Sequence, residues 1–505
     1  MSLFKRVSFC YCIAIVTIGI ATSQNFAFAQ GRAFKPLEIK HQDTDPFHVL
    51  HVFNGSDGVQ PFTVVEGAPG HVYGTTAFGG TSYDPMGPWF LSGGTVFEIT
   101  PGGTFHSLHS FTGPDGWYPD TTLVRGRGGN LYGVTSFGGS GFDPANPGIT
   151  GRGVIFRIAA NGAFSIIHRF TGPDGWYPFA NMIATDDGTL YGVTYHGGSS
   201  FDPDNPWGSG GTIFRIAANG TFTTLHSFTG TDGLSPAGGL VRGSDGNFYG
   251  TTTNGGAGFD PSNVSSGTIF RVTPGGVFTS LHSFTGDDGA YPFASLIDGG
   301  DGYIYGTTPS GGVSFAPNTP WLTAGTIFRV SNDGSFQSLH SFVGTDGWFP
   351  YSPLVRGSDG AIYGVTPVGG SGFDPSNPYA TPGTIFRIHP DGVLDSMHFF
   401  SGPDGAGPFS GMISGSDGNL YGVTEGGGTS DPSNPWNLTG TIFQITPGGT
   451  LTTLHSFTGS DGLVPFSRPI QTENGSLVGT TLSGGLGFGV IYSYSLSQCE
   501  NTGQS

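Results

Sequence analysis

The sequence predicts an all-β chain closed into a single eight-bladed β-propeller of four-stranded antiparallel blades, the last blade closed by the N-terminal strand. Three recurrences predict it. A hydrophobic-His-x-Phe motif returns at His51, His109, His168, His226, His282, His340, His398 and His455, in steps of 56 to 59 residues. An aromatic-Gly-x-Thr motif falls at Tyr73, Tyr132, Tyr191, Tyr249, Tyr305, Tyr363 and Tyr421, and once as Val478. A Gly-Thr-Ile-Phe-Arg-Ile motif starts at Gly94, Gly153, Gly211, Gly267, Gly325, Gly383, Gly440 and Gly489. Eight copies of each, with no linker between them, favour one closed ring over two four-bladed rings or an open solenoid.

Within one unit the motifs read as strands, because they are short β-branched and aromatic runs bounded by glycine turns. Thr122 to Arg125 is strand a, Leu131 to Thr135 strand b, Val154 to Ile158 strand c and Phe164 to Phe170 strand d. Gly128-Gly-Asn130 joins a to b and Ala159-Ala-Asn-Gly162 joins c to d, both hairpin-type turns. The ends of the chain are complementary. Phe47 to Phe53 carries the d motif with no a, b or c before it, and the last unit has a, b and c near residues 465–470, 476–481 and 490–494 with no d after them. The first segment is therefore expected to close the final blade and leave no open edge.

The chain has 505 residues, with Gly 92 and Pro 36. Aromatic residues at 13% argue against a disordered Gly/Pro-rich chain, which would lack area to bury. Charged residues are only 10% and the formal charge is −18. No lysine follows Lys40, so the cation cluster needed to displace counterions is missing and nucleic acid is excluded as a partner. Residues 1–29 read as a signal peptide. Lys5 and Arg6 precede an apolar run from Ser8 to Ala21, and Ala27-Phe28-Ala29 suits cleavage. The expected organisation is signal peptide 1–29, N-terminal extension 30–46, propeller 47–495 and C-terminal tail 496–505. Export to the periplasm, the cell surface or the medium follows, without membrane insertion once the signal is removed. Cys499 would then be the one remaining thiol.

The runs Phe-Thr-Gly-x-Asp-Gly-x-x-Pro, Ser-Asp-Gly-Asn-Leu-Tyr-Gly-Val-Thr and Gly-Thr-Ile-Phe-Arg-Ile resemble the GloVer (Gloeo/Verruco) tandem-repeat proteins, which are exported bacterial proteins. The resemblance covers roughly residues 47 to 495 and implies export and a repeat fold, but no activity. The chain departs from the pattern in lacking a recognisable C-terminal anchor and in carrying long b-to-c loops with Phe-Asp-Pro-x-Asn-Pro. The last copy, Ser483 to Gly489, keeps a short loop.

Antiparallel alternation sends the d-to-a and b-to-c connections to one face. All seven tryptophans fall in them: Trp117, Trp176 and Trp348 from d-to-a, and Trp89, Trp207, Trp321 and Trp436 from b-to-c. The expected binding residues are Trp117, Tyr118, Trp176, Tyr177, Trp207, Trp321, Trp348 and Trp436, with Asp115, Asp174 and Asp346. Rings interleaved with carboxylates suit carbohydrate, and exposed aromatics equally suit a protein partner. The bland alternative is that these rings roof the blades against the loop prolines.

The Asp before Gly occurs in every copy, which argues for a turn role, since one catalytic site needs a residue once. Calcium is the sharper alternative there, although no Asp-x-Asp-x-Asp-Gly loop exists. Otherwise no cofactor, metal site or catalytic residue is read. The repeated histidines are expected to bond within their own blades. Arg157, Arg215, Arg271, Arg329 and Arg387 on strand c are expected to pair between blades. The sequence thus points to a binding or interaction module contacting glycan or protein of the cell envelope. The alternatives are an extracellular polysaccharide-active enzyme, a hydrolase or lyase for which His196, Glu425 and Asp204 are the non-repeated candidates, and a structural surface protein without a small ligand.

Overall fold

The computed structural model describes residues 45–146, 150–205, 208–259, 266–313, 323–428 and 439–496. The expected signal peptide, most of the extension, and all of the tail but Leu496 lie outside them. The strands form eight four-stranded sheets, antiparallel throughout. Strands b and c are buried almost without a break: Leu190–Thr194 has no partly exposed residue and Val154–Ile158 only Arg157. Each blade is covered on both faces by its neighbours, so these strands show no polar alternation.

The core is consequently a series of seams between blades. One seam gathers Val96, Phe111, Leu123, Leu131, Phe156 and Ile158 from the first two blades. The glycine of the Tyr-Gly-x-Thr motif belongs to this packing. A Cβ on Gly133 would stand 2.4 Å from the ring of Phe156, so the phenyl occupies the space that glycine leaves.

The ring closes as expected. Phe47–Val52 pairs antiparallel with Val490–Tyr494 and supplies the outer strand of the eighth blade. Phe53 then packs with Val64, Val72, Phe97 and Ile491 at the seam where the eighth blade meets the first.

The histidines make the outer belt. Nε2 of each His lies 2.7 to 3.0 Å from the Asp six residues on, as in His168 and Asp174 at 2.8 Å. Six of the rings also stack on a phenylalanine of the next blade, among them His109 on Phe164 at 3.5 Å, His226 on Phe278 at 3.7 Å and His455 on Phe47 at 3.6 Å. A hydrogen-bonded histidine was legible in the sequence; its Asp partner and the stacking were not. The arginines depart from expectation. Arg271 does reach the next blade, donating to the Asn332 carbonyl at 2.7 Å. Arg329 donates instead to Gln337 and Arg387 to Asp395, both on the adjacent strand of the same blade, where eight residues of hairpin place them side by side.

Candidate functional site: the long-loop face and the central channel

Strand a begins earlier than the sequence suggests, and that changes the site. In the second blade the regular ladder covers only Val124–Arg125, but pairing starts at Trp117. Trp117 N donates to the Phe137 carbonyl at 2.9 Å and Phe137 N returns a bond at 3.0 Å. Trp176 pairs in the same way with His196, and Trp348 N donates to Val368. Each segment enters this pairing from the Asp-Gly turn, whose glycine carries a positive φ that a side chain rarely adopts, +133° at Gly116.

The three described indoles are therefore interior. Trp117 and Trp176 are 4% exposed and Trp348 is 7% exposed. They are roofed by the b-to-c loops: Phe142 lies 5.5 Å from Trp117 and Phe373 5.1 Å from Trp348, both from the Phe-Asp-Pro motif. Trp176 Nε1 donates to the Gly151 carbonyl at 3.0 Å. Their expected role as sugar-stacking platforms is corrected to that of blade roofing, because backbone pairing draws them under the loops. Trp207, Trp321 and Trp436 lie outside the described residues, as does the side chain of Trp89.

Tyr118 and Tyr177 are half-buried with positive φ, +63° and +58°, immediately before a proline. This conformation turns strand a and aims each ring at the preceding blade, Tyr118 at Phe78 and Tyr177 at Phe137. Asp115, Asp174 and Asp346 are spent on the loop itself. One oxygen of each meets the histidine at 2.8 Å, and the other accepts the backbone N–H of Thr112, Thr171 or Val343. Burial pushes the Asp115 and Asp174 carboxyls up, but the bonds from histidine and threonine outweigh it and hold both below the ordinary range. Both oxygens of each carboxylate are thus engaged in holding the loop. Among the described residues no three His, Cys, Asp or Glu side chains gather to hold a metal ion.

What does face outward on the long-loop side are apolar residues of the b-to-c loops: Met86, Phe90, Leu91, Val313, Tyr379 and Leu486 are all exposed. On the hairpin face Val277 and Val393 are the exposed large apolar residues among those described. The loop prolines and aspartates shape these loops, with Asp84, Asp143, Asp202 and Asp374 each accepting the N–H two residues on.

Beneath the loops runs a central channel walled by the inner strands. Aromatic rings collar it: Phe62 stands 5.7 Å from Phe466, and Phe293 stands 4.8 Å from Tyr351 and 6.0 Å from Phe179. A cavity of about 520 Å³ opens among Phe62, Thr63, Ser410, Ser414, Phe466 and Arg468. Blades seven, eight and one supply most of its lining, with Thr122 of blade two and Pro353 of blade six.

Two carboxyl groups near the loop end are raised well above the ordinary carboxylate range. Burial raises Asp120 to about 7, with Ser136 Oγ donating to it at 2.6 Å and moderating the rise. Burial raises Glu425 to about 8, and its Oε1 has no partner among the described residues. Glu425 was legible as a non-repeated polar residue. Asp120 was missed, although it stands where other copies carry Phe62, Phe179, Phe293, Tyr351, Phe409 and Phe466. His196 is buried, pushed down to about 4 by burial, and packed beside Trp176 and Tyr195. Asp204 closes a turn on Asp202.

A raised carboxyl binds its proton in the folded state where the unfolded chain releases it. Stability is thus lost as pH rises from the unfolded value of 4.5 towards 8. Glu425→Gln is expected to remove this loss. Its stability should match the parent's at pH 4.5 and exceed it increasingly up to pH 8, where about 1.4 kcal/mol per pH unit gives a gap on the order of 5 kcal/mol, read as a widening difference in melting temperature. A gap independent of pH would contradict the assignment.

Comparison with known proteins gives a family and a fold. None of the curated proteins matches the chain. Among solved structures it is similar to Porphyromonas gingivalis dipeptidyl peptidase 4, at 9% identity over 88% of this chain and 59% of that one, with a TM-score of 0.47. It is similar to an oligogalacturonate lyase in complex with manganese, at 12% identity over 88% and 99%, TM-score 0.42. It is also similar to a puromycin hydrolase, at 13% identity over 84% and 58%, TM-score 0.40. The chain spans about 58% of the length of that hydrolase. The family model of the Gloeobacter/Verrucomicrobia repeat matches residues 18–257, 143–319 and 317–492. The sequence motifs, the blades they build and this match agree: the chain belongs to the Gloeobacter/Verrucomicrobia repeat family.

Proposed function

We propose that the chain is an exported binding module whose long-loop face contacts glycan or other cell-envelope material. The observation that carries this reading is the gathering of exposed apolar and aromatic side chains, Met86, Phe90, Leu91, Val313, Tyr379 and Leu486, on the b-to-c loops. Aromatic and apolar residues amid polar loops are what a contact surface offers. Tyr118 and Tyr177, half-buried below, belong to the proposed surface, and Trp207, Trp321 and Trp436, outside the described residues, are proposed as contacts from their place in the sequence. Trp117, Trp176 and Trp348, with Asp115, Asp174 and Asp346, support it from beneath.

The test is a glycan array and a cell-envelope pull-down with two sets of variants. Phe90→Ala combined with Tyr379→Ala is expected to cut binding at least tenfold with an unchanged melting temperature. Trp176→Ala is expected to lower the melting temperature through the cavity it leaves, a loss of roughly 3–5 kcal/mol for a buried tryptophan. Binding unaffected by the loop pair, or a parent protein that retains no glycan or envelope component, would overturn the reading.

A further inference from the structure

Repetition separates what the fold requires from what one place in it does. Three residues beyond the proline of strand a, blades two to seven carry Thr122, Asn181, Gly239, Ser295, Pro353 and Gly411. These small or neutral residues tie neighbouring inner strands together. Thr122 N donates to Asn181 Oδ1 at 2.9 Å and Gly239 N to Ser295 Oγ at 3.1 Å. The eighth blade places Arg468 at this position, and the first blade, adjoining it, is one residue shorter from Pro61 to Gly67 than its counterparts.

The cavity lies at that seam, between residues 62–64 and 466–471. Arg468 is open to solvent within it while protein surrounds it, and burial pulls its guanidinium below the usual range. No hydrogen bond or ion pair reaches it from the described residues. Thr63 Oγ1, on the facing strand of the cavity, is also buried without a partner. A solvent-facing guanidinium with no protein partner is open to an anion that enters the cavity, and none of the other seven blades carries a charge at this position. Five N–H donors in a planar fork match a carboxylate.

We propose that this channel cavity binds a small organic carboxylate, paired to Arg468 and hydrogen-bonded by Thr63, with its body against Phe62 and Phe466. One cation in the lining balances one negative charge, which favours a monocarboxylate over a doubly charged phosphate. A volume of about 520 Å³ admits a molecule the size of a sugar acid. The site is separate from the long-loop face and stands without it.

The experiment titrates the protein with glucuronate, galacturonate and benzoate, and with glucose and sulfate at matched ionic strength, by calorimetry and thermal shift. At least one carboxylate is expected to bind and raise the melting temperature, while glucose and sulfate do not. Arg468→Met should weaken that binding at least tenfold, Arg468→Lys less, and Thr63→Val by a few-fold. Arg468→Met alone should melt no lower than the parent, which shows that it folds. The Phe90 and Tyr379 alanine variants should bind the carboxylate as the parent does, so that failure of the loop-face reading leaves this result untouched. No response to any of the three carboxylates, an equal response to glucose or sulfate, or unchanged binding in Arg468→Met would overturn the proposal.

Discussion

Deleting residues 45–52 should open the ring and cost more stability than any single substitution. The lost strand pairs along Val490–Tyr494 with Phe47 opposite Tyr494 and Val52 opposite Val490. It also holds both neighbours: Phe47 stacks on His455 of blade seven, and His51 stacks on Phe105 of blade one. Without it Val490, Ile491 and Tyr492 stand on an unpaired apolar edge, a template for pairing with a second chain. The expected result is a melting temperature lower by more than roughly 10 °C, as for a loss of several kcal/mol, together with oligomers in light scattering. A synthetic peptide of residues 45–54 should restore the monomer and much of the stability. A truncated protein that stays monomeric and melts with the parent would remove the N-terminal strand from the closure.

Gly153→Ala should be strongly destabilising for so small a substitution. Gly153 opens strand c with φ +87°, and an added Cβ would lie 2.4 Å from the Thr135 carbonyl oxygen and 2.6 Å from Pro178 Cδ. Pro178 belongs to the inner strand of the next blade, so the clash strikes the seam itself. The same glycine-proline contact recurs at Gly211 with Pro236, at Gly267 with Pro292 and, across the closure, at Gly489 with Pro61. Left-handed strain of about 1–2 kcal/mol and overpacking of about 1–3 kcal/mol add to roughly 3 kcal/mol or more. Gly103→Ala is the control, since that glycine has φ +78° but no atom within 4 Å of the added methyl. It should lose only the strain, on the order of 1 kcal/mol. Equal losses in the two variants, measured by denaturant titration, would show that the seam is not tightly closed at this point.

The candidate site was legible to a different degree. Its place was readable, because loop length and the parity of antiparallel strands assign the long connections to one face. The orientation of its rings was not. Trp117, Trp176 and Trp348 read as loop residues because the proline after each Tyr or Phe interrupts the β pattern, yet all three pair with strand b and lie under the loops. Met86, Leu91 and Leu486, ordinary in sequence, are exposed instead. Asp120 and Arg468 carried a signal that only a comparison of the eight copies reveals: each is the one charged residue at its position, where six of the other blades carry a ring in the first case and all seven carry neutral residues in the second.

By itself the sequence determined the strand count, the order of strands in each blade and the closure of the last by the first. These depend on period and on the complementary ends of the chain, which are properties of one dimension. The tertiary structure alone decided which indoles are covered, which carboxyls burial raises, and that Arg468 and Thr63 share one cavity. Those depend on what neighbouring blades place around a residue, and residues 63 and 468 meet only because the ring brings its two ends together.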